Sequence, residues 1–590
     1  MPLRFLTDEQ LNAVTYQGNM LLTACPGSGK TRTLVSRIAW SLSEEIWVGG
    51  KRRIIAITYT NVAADTILER LDAFGIDNEN LWVGTIHSFC LDWILKPYLG
   101  YSERLSKGYR ILDEYEQRKL VDSIKRQFNI GIFDAFPTQL DQNNDINVAA
   151  GSNLYQAVEE YHRTLGENRW IDFNLILTIS RKILLEYPAV STRLARLFAS
   201  IMVDEYQDTN QVQYDILASI IGHGKTDLTL IGDVDQAIYT GLGAVVKDAA
   251  ELRSEFGLHD LYEMSLSGCY RSTQTIIDFY RAFQDHPINI ESLTTNSQSD
   301  SNVFYKNDID RDQLGEYVGS VLTRHLREGI ELNEIIILAP QWTDVIRLAR
   351  DLRQAMPELE FNAPGISPIP RSQDNPWFNL VKLFFTEIHP DNFSRRRRLS
   401  TKVVADMEEI RFSFSGFDNP AKQVIKTINS IFPNRNCEVV VFLDSLINCF
   451  CQALNYNLVA NELAHSAKEA LKESTTTRIS QFNLANDASI LDTYFNSTNG
   501  IEVASCHSTK GEEYDVVIAT GLLEGKLPHW NDIINQSQDY SDYMARRLLY
   551  VISSRARKYL YLVSEQGHVT RNGYPLLPTP QLLFETQVTG

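Results

Sequence analysis

A short glycine-rich segment, ACPGSGKT at residues 24–31, points most directly to chemistry. It follows an apolar run at residues 20–22 and precedes a helical pattern that begins near Arg32. A glycine-rich loop between a strand and a helix directs backbone N–H groups and the positive end of the helix dipole at phosphate oxygens. In such a loop Lys30 would reach the β- and γ-phosphates of a nucleotide, and the Thr31 hydroxyl would bind Mg²⁺.

Two adjacent carboxylates, Asp204 and Glu205, follow a second apolar strand pattern at residues 197–203. One carboxylate of such a pair can share the Mg²⁺ ion, while its neighbour orients or deprotonates an attacking water. The phosphate loop and the carboxylate pair together predict hydrolysis of a nucleoside triphosphate.

The bulk composition limits the possible functions without naming one. At 590 residues, with 44% hydrophobic and 22% charged residues, the chain is an ordinary globular protein of about three or four domains. A net charge of −18 argues against a surface that coats nucleic acid all over, but it leaves room for a local basic groove. No apolar run approaches the ~18 residues of a membrane span. Seven scattered cysteines favour a reducing compartment, so we expect a cytoplasmic protein without a membrane segment.

The elements that must position these groups alternate between helix and strand patterns, which predicts parallel sheets covered by helices. Two mainly helical stretches interrupt the alternation. We therefore predict an α/β fold with two cores, each carrying a helical insertion. The predicted bounds are 1–91 and 196–261 for the first core, 92–195 for its insertion, 262–374 and 486–590 for the second core, and 375–485 for the second insertion.

Further motifs surround the phosphate loop in a defined order. They are LTDEQ (6–10), ITYTN (57–61), GTIHSF (84–89), DEYQD (204–208), GDVDQAIY (232–239), YRS (270–272), HSTKGEEY (507–514), RLLYV (547–551) and SRA (554–556). This ordered set resembles the UvrD/Rep/PcrA-like branch of the superfamily 1 helicases over residues 1 to about 565. The resemblance implies two RecA-like P-loop NTPase cores (1A and 2A) with helical insertions (1B and 2B). It also implies ATP- and Mg²⁺-dependent movement, 3′ to 5′, on single-stranded DNA or on a duplex with a 3′ overhang.

The resemblance assigns six residues to catalysis. They are Lys30, Asp204, Glu205, Gln236, Arg271 and Arg555. Asp204 would bind Mg²⁺ together with Thr31, and Glu205 would be the catalytic base. Gln236 would sense the γ-phosphate. Arg271 and Arg555 would be arginine fingers from the second core, because charge spreads over the γ-phosphoryl oxygens in the transition state. A surface ion pair is the alternative for each arginine.

A wider set of residues is expected to bind the nucleotide. Gln10 would read the adenine edge, and Arg32 and Tyr270 would sandwich the base. Glu513 would contact the ribose, although Glu512 stands where the family usually has leucine. The full predicted set is Gln10, Ala24, Cys25, Pro26, Gly27, Ser28, Gly29, Lys30, Thr31, Arg32, Tyr270, Arg271, Glu513 and Arg555.

The strand-binding residues are expected to combine aromatic platforms with groups that face the backbone. Tyr59 and Tyr239 occupy the positions of base-stacking aromatics, with packing in the core as the alternative. The family usually has tryptophan where this chain has Gly241, which predicts a weaker grip or altered step coupling. The full predicted set is Tyr59, Thr60, Asn61, Thr85, His87, Tyr239 and His507.

Three functions stay open at this point. The first is a helicase or translocase acting in DNA repair or in anti-phage defence beside a nuclease, since compact relatives include the helicase component of the Gabija anti-phage system. The second is a DNA-sensing ATPase that regulates a partner nuclease. The third is an RNA-remodelling ATPase. The arginine run at 395–398 is either a solvated face or a contact to a duplex or a partner.

Overall fold

Two six-stranded parallel sheets form the framework of the protein. The computed structural model describes residues 5–43, 52–76, 79–112, 114–131, 134–141, 145–240, 243–294, 302–362, 367–370, 375–414, 416–482, 484–496, 500–570 and 572–583. The predicted fold class, an α/β protein with two cores of sheet and helix, is confirmed.

The strands, in chain order, are β1 (Met20–Ala24), β2 (Arg53–Thr58), β3 (Leu81–Thr85), β4 (Arg110–Ile111), β5 (Trp170–Ile171), β6 (Phe198–Asp204), β7 (Asp227–Gly232), β8 (Tyr262–Leu266), β9 (Gly268–Cys269), β10 (Glu291–Ser292), β11 (Asn302–Lys306), β12 (Ile335–Ala339), β13 (Phe361–Asn362), β14 (Ile501–Ser505), β15 (Tyr514–Ala519) and β16 (Ala556–Val563).

The α-helices are α1 (Asp8–Thr15), α2 (Lys30–Ser43), α3 (Asn61–Ala73), α4 (Ile86–Cys90), α5 (Glu114–Gln127), α6 (Asn153–Glu167), α7 (Phe173–Glu186), α8 (Pro188–Leu197), α9 (Gln211–Ile221), α10 (Ala249–Phe256), α11 (Gln274–Arg281), α12 (Leu314–Arg327), α13 (Trp342–Ala355), α14 (Pro376–Phe385), α15 (Phe393–Glu409), α16 (Pro420–Ser430), α17 (Val439–Ala453), α18 (Glu462–Phe482), α19 (Ile490–Asn496), α20 (Trp530–Asn535), α21 (Gln538–Ser553) and α22 (Pro580–Leu583).

The first sheet has the strand order β3-β2-β6-β7-β1-β8. Strand β6 is buried along its whole length, as expected for a continuous apolar run covered by helices on both faces. The carboxyl ends of parallel strands meet at one edge of a sheet. The phosphate loop after β1, the carboxylates at the end of β6 and the ITYTN motif at the end of β2 therefore share that edge.

One predicted boundary needs correction. We expected the second core to begin at residue 262, but β8 pairs in parallel with β1, from Tyr262 beside Met20 to Leu266 beside Ala24. The first sheet therefore extends to Leu266. The sequence pattern did not reveal this, because the residues of a strand near the junction of two cores do not show which of the two sheets the strand joins.

The second sheet has the order β11-β16-β15-β12-β14-β13, with every pair parallel. Its central strand β12 is fully buried. The motif at 507–514 joins β14 to β15, and the SRA motif joins α21 to β16. These connections bring motif residues of the second core to the face that meets the first core.

The two helical insertions differ in how they are packed. Helices α6 to α8 share one hydrophobic cluster with strands of the first sheet, through residues such as Ile176 and Ile201. Helices α14 to α19 enclose a cluster of their own around Trp377. Leu491 on α19 belongs to that cluster, so the second insertion continues beyond its predicted end at 485. None of the helices in the described ranges combines the length and apolar content that a bilayer crossing requires.

Candidate functional site

The loop between β1 and α2 depends on contacts that only glycine permits. Gly27 and Gly29 have φ angles of +71° and +80°. A Cβ on Gly27 would lie 2.5 Å from Cβ of Arg271, and one on Gly29 would lie 2.9 Å from Nε2 of Gln10. Within the described chain the buried Oγ of Ser28 has no hydrogen-bond partner. A glycine cradle at a helix N-terminus, with an unpartnered hydroxyl, fits a phosphate group.

Gln10 joins the first helix to this loop. Its Nε2 donates to the carbonyl oxygen of Ser28 at 2.9 Å, and its Oε1 accepts from the backbone N–H of Thr7 at 3.2 Å. The Thr7 hydroxyl in turn accepts from the backbone N–H of Gln10, which completes a capping box at α1. The predicted adenine-reading residue thus also fixes the position of the phosphate loop.

Lys30, the first residue of α2, lies among three carboxylates. Its Nζ is 3.1 Å from Oε1 and 3.2 Å from Oε2 of Glu205. Burial alone would lower the pKa of Lys30, but Glu205, Asp233 and Asp204 together raise it, so the ammonium stays charged. A bound phosphate would compete with Glu205 for this cation.

The carboxylates of Asp204 and Glu205 have different electrostatic surroundings. Burial, and then the charge of Glu205, raise the pKa of Asp204. Burial acts on Glu205 as well, but Lys30 and Lys510 outweigh it and hold the pKa of Glu205 below its usual range. A divalent cation stabilises the charged form of a buried carboxylate. Asp204 and the Thr31 hydroxyl, both oxygen donors, therefore fit Mg²⁺.

Glu205 adopts a left-handed backbone conformation, with φ 55° and ψ 44°, which is uncommon for a residue other than glycine. A 3₁₀ turn over Tyr206–Asp208 follows it, and the backbone N–H of Asp208 donates to the Glu205 carbonyl at 3.0 Å. Nε2 of Gln207 donates to Oε2 of Glu205 at 2.5 Å. These bonds hold the carboxylate beside Lys30.

Both predicted arginine fingers face the first core. Arg555 is 1% exposed, and its Nη2 donates to Oε1 of Gln236 at 2.8 Å. Arg271 lies over the phosphate loop, and its Nη1 donates to the carbonyl of Ser554 at 2.8 Å. Its Nε also donates to Oε2 of the half-exposed Glu513 at 2.8 Å. The ion-pair alternative thus applies to Arg271 in part, whereas Arg555 is buried in the contact between the cores.

The residues predicted to sandwich the base flank the same loop. The backbone N–H of Tyr270 donates to the carbonyl of Gly27 at 2.9 Å, and the Tyr270 side chain is exposed. The guanidinium of Arg32 donates to the carbonyl of Phe5 at 2.9 Å. Neither side chain is buried, so both have room to move against a planar ring.

Sequence reasoning missed three charged residues that join the cores. Asp235 accepts from the backbone N–H of His286 at 3.3 Å. Arg547 is fully buried and donates to the carbonyl of Ala237 at 3.0 Å. Lys510 forms an ion pair with Asp208. All three lie inside the motifs quoted above. Each is a charged motif residue to which the sequence analysis gave no role, and that was the signal that could have identified it.

The predicted strand-binding tyrosines form a stacked pair. The ring centroids of Tyr59 and Tyr239 are 5.0 Å apart and the planes differ by 16°. Tyr59 is 45% exposed, which excludes simple core packing, and the Tyr239 hydroxyl donates to the carbonyl of His507 at 3.0 Å. Because Tyr239 is three residues from Gln236, one loop carries both a member of this aromatic pair and the predicted γ-phosphate sensor.

Two cavities surround this platform. One of about 400 Å³ runs from Tyr59, Thr85 and His87 to the carboxylates of Asp204 and Glu205. A second, of about 580 Å³, is lined by both helical insertions as well as by Asn61. Burial lowers the pKa of His87 to about 4, so its imidazole is neutral at ordinary pH.

Two of the predicted strand contacts serve as helix caps. The Thr60 hydroxyl accepts from the backbone N–H of Ala63 at 3.1 Å, and the Thr85 hydroxyl accepts from that of Ser88 at 3.3 Å. Asn61 and Ile86, the first residues of α3 and α4, follow these caps. The caps place two helix N-termini at the cavities, where backbone N–H groups suit phosphate.

We expect the Tyr59→Ala variant to bind single-stranded DNA more weakly by about 1–3 kcal/mol, the contribution of one stacked base. Tyr262→Ala is the matched control, because Tyr262 is also exposed and stacked on another tyrosine, Tyr16, at 4.9 Å. Fluorescence anisotropy with a labelled oligonucleotide measures both. If the two variants bound single-stranded DNA with equal affinity, Tyr59 would not contact the bound strand.

The remaining sequence features have mixed outcomes. Gly241 lies outside the described residues. Within the arginine run, Arg396 is buried and donates hydrogen bonds to backbone carbonyls of its own insertion. Arg398 forms an ion pair with Glu69 of α3, and Arg395 and Arg397 are exposed. The run is therefore neither wholly a solvated face nor wholly free to bind a partner.

A phosphate loop, a carboxylate pair on another strand of the same sheet and arginines from a second core define the class of two-core P-loop nucleoside triphosphatases. Sequence comparison gives the same class. A profile of the UvrD/REP helicase N-terminal domain matches residues 6–257, and one of the UvrD-like helicase C-terminal domain matches residues 453–567.

Known relatives extend this match along the chain. ATP-dependent DNA helicase PcrA of Staphylococcus epidermidis is 23% identical over 622 residues, which cover 95% of this chain and 83% of that protein. PcrA of Staphylococcus aureus is 23% identical over 625 residues, with the same coverage. The chain belongs to the UvrD-like family of superfamily 1 helicases.

Proposed function

We propose that this protein is an ATP-dependent DNA helicase or translocase that moves 3′ to 5′ on single-stranded DNA. One observation carries the proposal: the guanidinium of Arg555, from the second core, donates to the side chain of Gln236, in the first core. A nucleotide site completed by two cores couples the chemistry of ATP to their relative movement.

The chain's own residues divide the work of hydrolysis. Lys30 binds the β- and γ-phosphates and leaves its ion pair with Glu205 to do so. Glu205 then accepts the proton of the attacking water, and Arg271 and Arg555 stabilise the charge that develops on the γ-phosphoryl group. Mg²⁺, held by Thr31 and Asp204, would neutralise phosphate charge.

Strand movement follows from the shared loop. Gln236 contacts Arg555. Tyr239, three residues after Gln236 on the same loop, stacks on Tyr59. A shift of this loop when the cleft closes or opens would therefore move the aromatic platform along a bound strand. The bases contribute through stacking, which depends little on their sequence.

Fluorescent duplexes with a 3′ overhang, a 5′ overhang or blunt ends test the proposal. ATP-dependent strand release from the 3′ overhang alone is the expected result, and the Lys30→Ala variant, which should not hydrolyse ATP, is the control. Release from the 5′ overhang alone would contradict the direction. If RNA homopolymers stimulated the ATPase and DNA did not, the proposal that the protein acts on DNA would be wrong.

The same assay decides a second candidate function, a DNA-sensing ATPase that licenses a partner nuclease. The sequence at Gly241 favours this candidate, because the loop lacks the tryptophan that the family usually carries there. DNA-stimulated hydrolysis without strand release would support it. Co-purification from the native host would then report whether a nuclease accompanies the chain, as expected for a role in anti-phage defence.

A further inference from the structure

Lys510 reaches from the second core into the catalytic carboxylates of the first. Its Nζ forms an ion pair with Asp208 and donates to the backbone carbonyl of Gln236 at 3.1 Å. The same Nζ lies 3.9 Å from Oε2 of Glu205, and the Lys510 side chain is 9% exposed. This lysine therefore contacts the turn that carries the predicted base and the loop that carries the predicted phosphate sensor.

The ion pair between Lys510 and Asp208 lies at the end of the strained turn that begins at Glu205. Asp208 ends that turn, and its backbone N–H donates to the Glu205 carbonyl at 3.0 Å. Oδ1 of Asp208 accepts no hydrogen bond within the described part of the chain, so Lys510 supplies the compensation for a buried carboxylate. Holding Asp208 from the second core fixes the turn and, through it, the Glu205 carboxylate.

The other end of the connection lies at the aromatic platform. Lys510 Nζ is 5.5 Å from the centre of the Tyr239 ring, within the range of a cation–π contact. The Tyr239 hydroxyl donates to the carbonyl of His507, in the same turn as Lys510. Gly511, with φ +92°, reverses the chain after Lys510 and lets this turn meet both partners.

We propose that Lys510 is a positioning residue that couples strand binding at Tyr59 and Tyr239 to hydrolysis at Glu205. A strand stacked on the tyrosines orders Tyr239 and the 507–510 turn, and Lys510 then holds Asp208 and the Gln236 carbonyl in the hydrolytic arrangement. This inference rests on the proposed strand-driven ATPase. Misplacing a catalytic group by about 1 Å can lower a rate by about 10²-fold.

Steady-state ATPase assays with and without oligo(dT) test the proposal on the full chain. We expect Lys510→Met to lower the oligo(dT)-saturated kcat by up to about 10²-fold, the effect of a misplaced catalytic group, with unchanged KM for ATP and unchanged affinity for oligo(dT). Lys510→Arg keeps the charge and a donor, so it should recover most of the rate. If Lys510→Met melts at the same temperature as the unchanged protein, its lower rate comes from lost positioning and not from unfolding.

The double variant Asp208→Asn/Lys510→Met guards against a misfolded single variant, since it leaves no lone buried charge. If the two residues act as one unit, the double variant is no slower than Lys510→Met. Additive losses, or a normal oligo(dT)-saturated kcat in Lys510→Met, would overturn the coupling. An unchanged protein that oligo(dT) does not stimulate would contradict the proposed function itself, which distinguishes the two failures.

Discussion

Arg555→Ala is expected to hydrolyse ATP about 10³–10⁵-fold more slowly than the unchanged protein, the effect of losing an arginine finger. Arg555 is buried between the cores and bonded to Gln236, so no neighbouring solvent can replace its charge in the transition state. The measurement is kcat at saturating ATP and single-stranded DNA. Arg555→Lys should recover little, because lysine lacks the planar fork of donors.

The matched control is Lys558→Ala, three residues further along on β16. Lys558 is half-exposed and pairs with Asp515 at 2.7 Å, a surface interaction worth about 0–1 kcal/mol. We expect a normal kcat for this variant. If Arg555→Ala kept the rate of the control, Arg555 would be a structural residue of the contact between the cores and not a finger.

Glu205→Gln has the second large expected effect, a fall in kcat of about 10²–10⁴-fold, which is the usual contribution of a general base. The amide keeps the shape of the side chain but cannot accept the proton of the attacking water. Nucleotide binding should remain intact, since the change releases Lys30 from its ion pair at 3.1 Å and leaves it free for phosphate.

Hydrolysis and nucleotide binding are measured separately, by phosphate release and by titration with a fluorescent ATP analogue. Glu263→Gln is the control, because Glu263 is an exposed carboxylate on β8 that pairs with Arg253. Normal turnover in the Glu205→Gln protein would overturn the assignment of the base. Loss of both activities together would point instead to collapse of the turn at Glu205.

Much of the geometry of the candidate nucleotide site could be predicted, because local chemistry dictates its residue types. The glycines of the phosphate loop have positive φ angles and leave no room for a side chain, and Lys30 and Asp204 lie at the ends of elements that alternating patterns reveal. The ordered motifs then assigned Arg271, which lies over this loop, and Arg555, which contacts Gln236, although both lie far along the chain from it.

The connections between the cores were not predictable in the same way. Lys510, Asp235 and Arg547 have no local signature, since each owes its surroundings to two cores that meet only in the folded protein. The same reason explains the misplaced boundary at residue 262. Strand β8 is the last strand of the first sheet along the chain, and it pairs with β1. The sequence of one segment does not show which strand it will pair with.

A structure with Mg²⁺ and a non-hydrolysable triphosphate tests most directly whether one nucleotide is held by both cores. We predict that Lys30 contacts the β- and γ-phosphates and that the guanidinium groups of Arg271 and Arg555 lie within hydrogen-bond distance of the γ-phosphate. A closed cleft with the nucleotide bound and both arginines turned away from it would contradict the account.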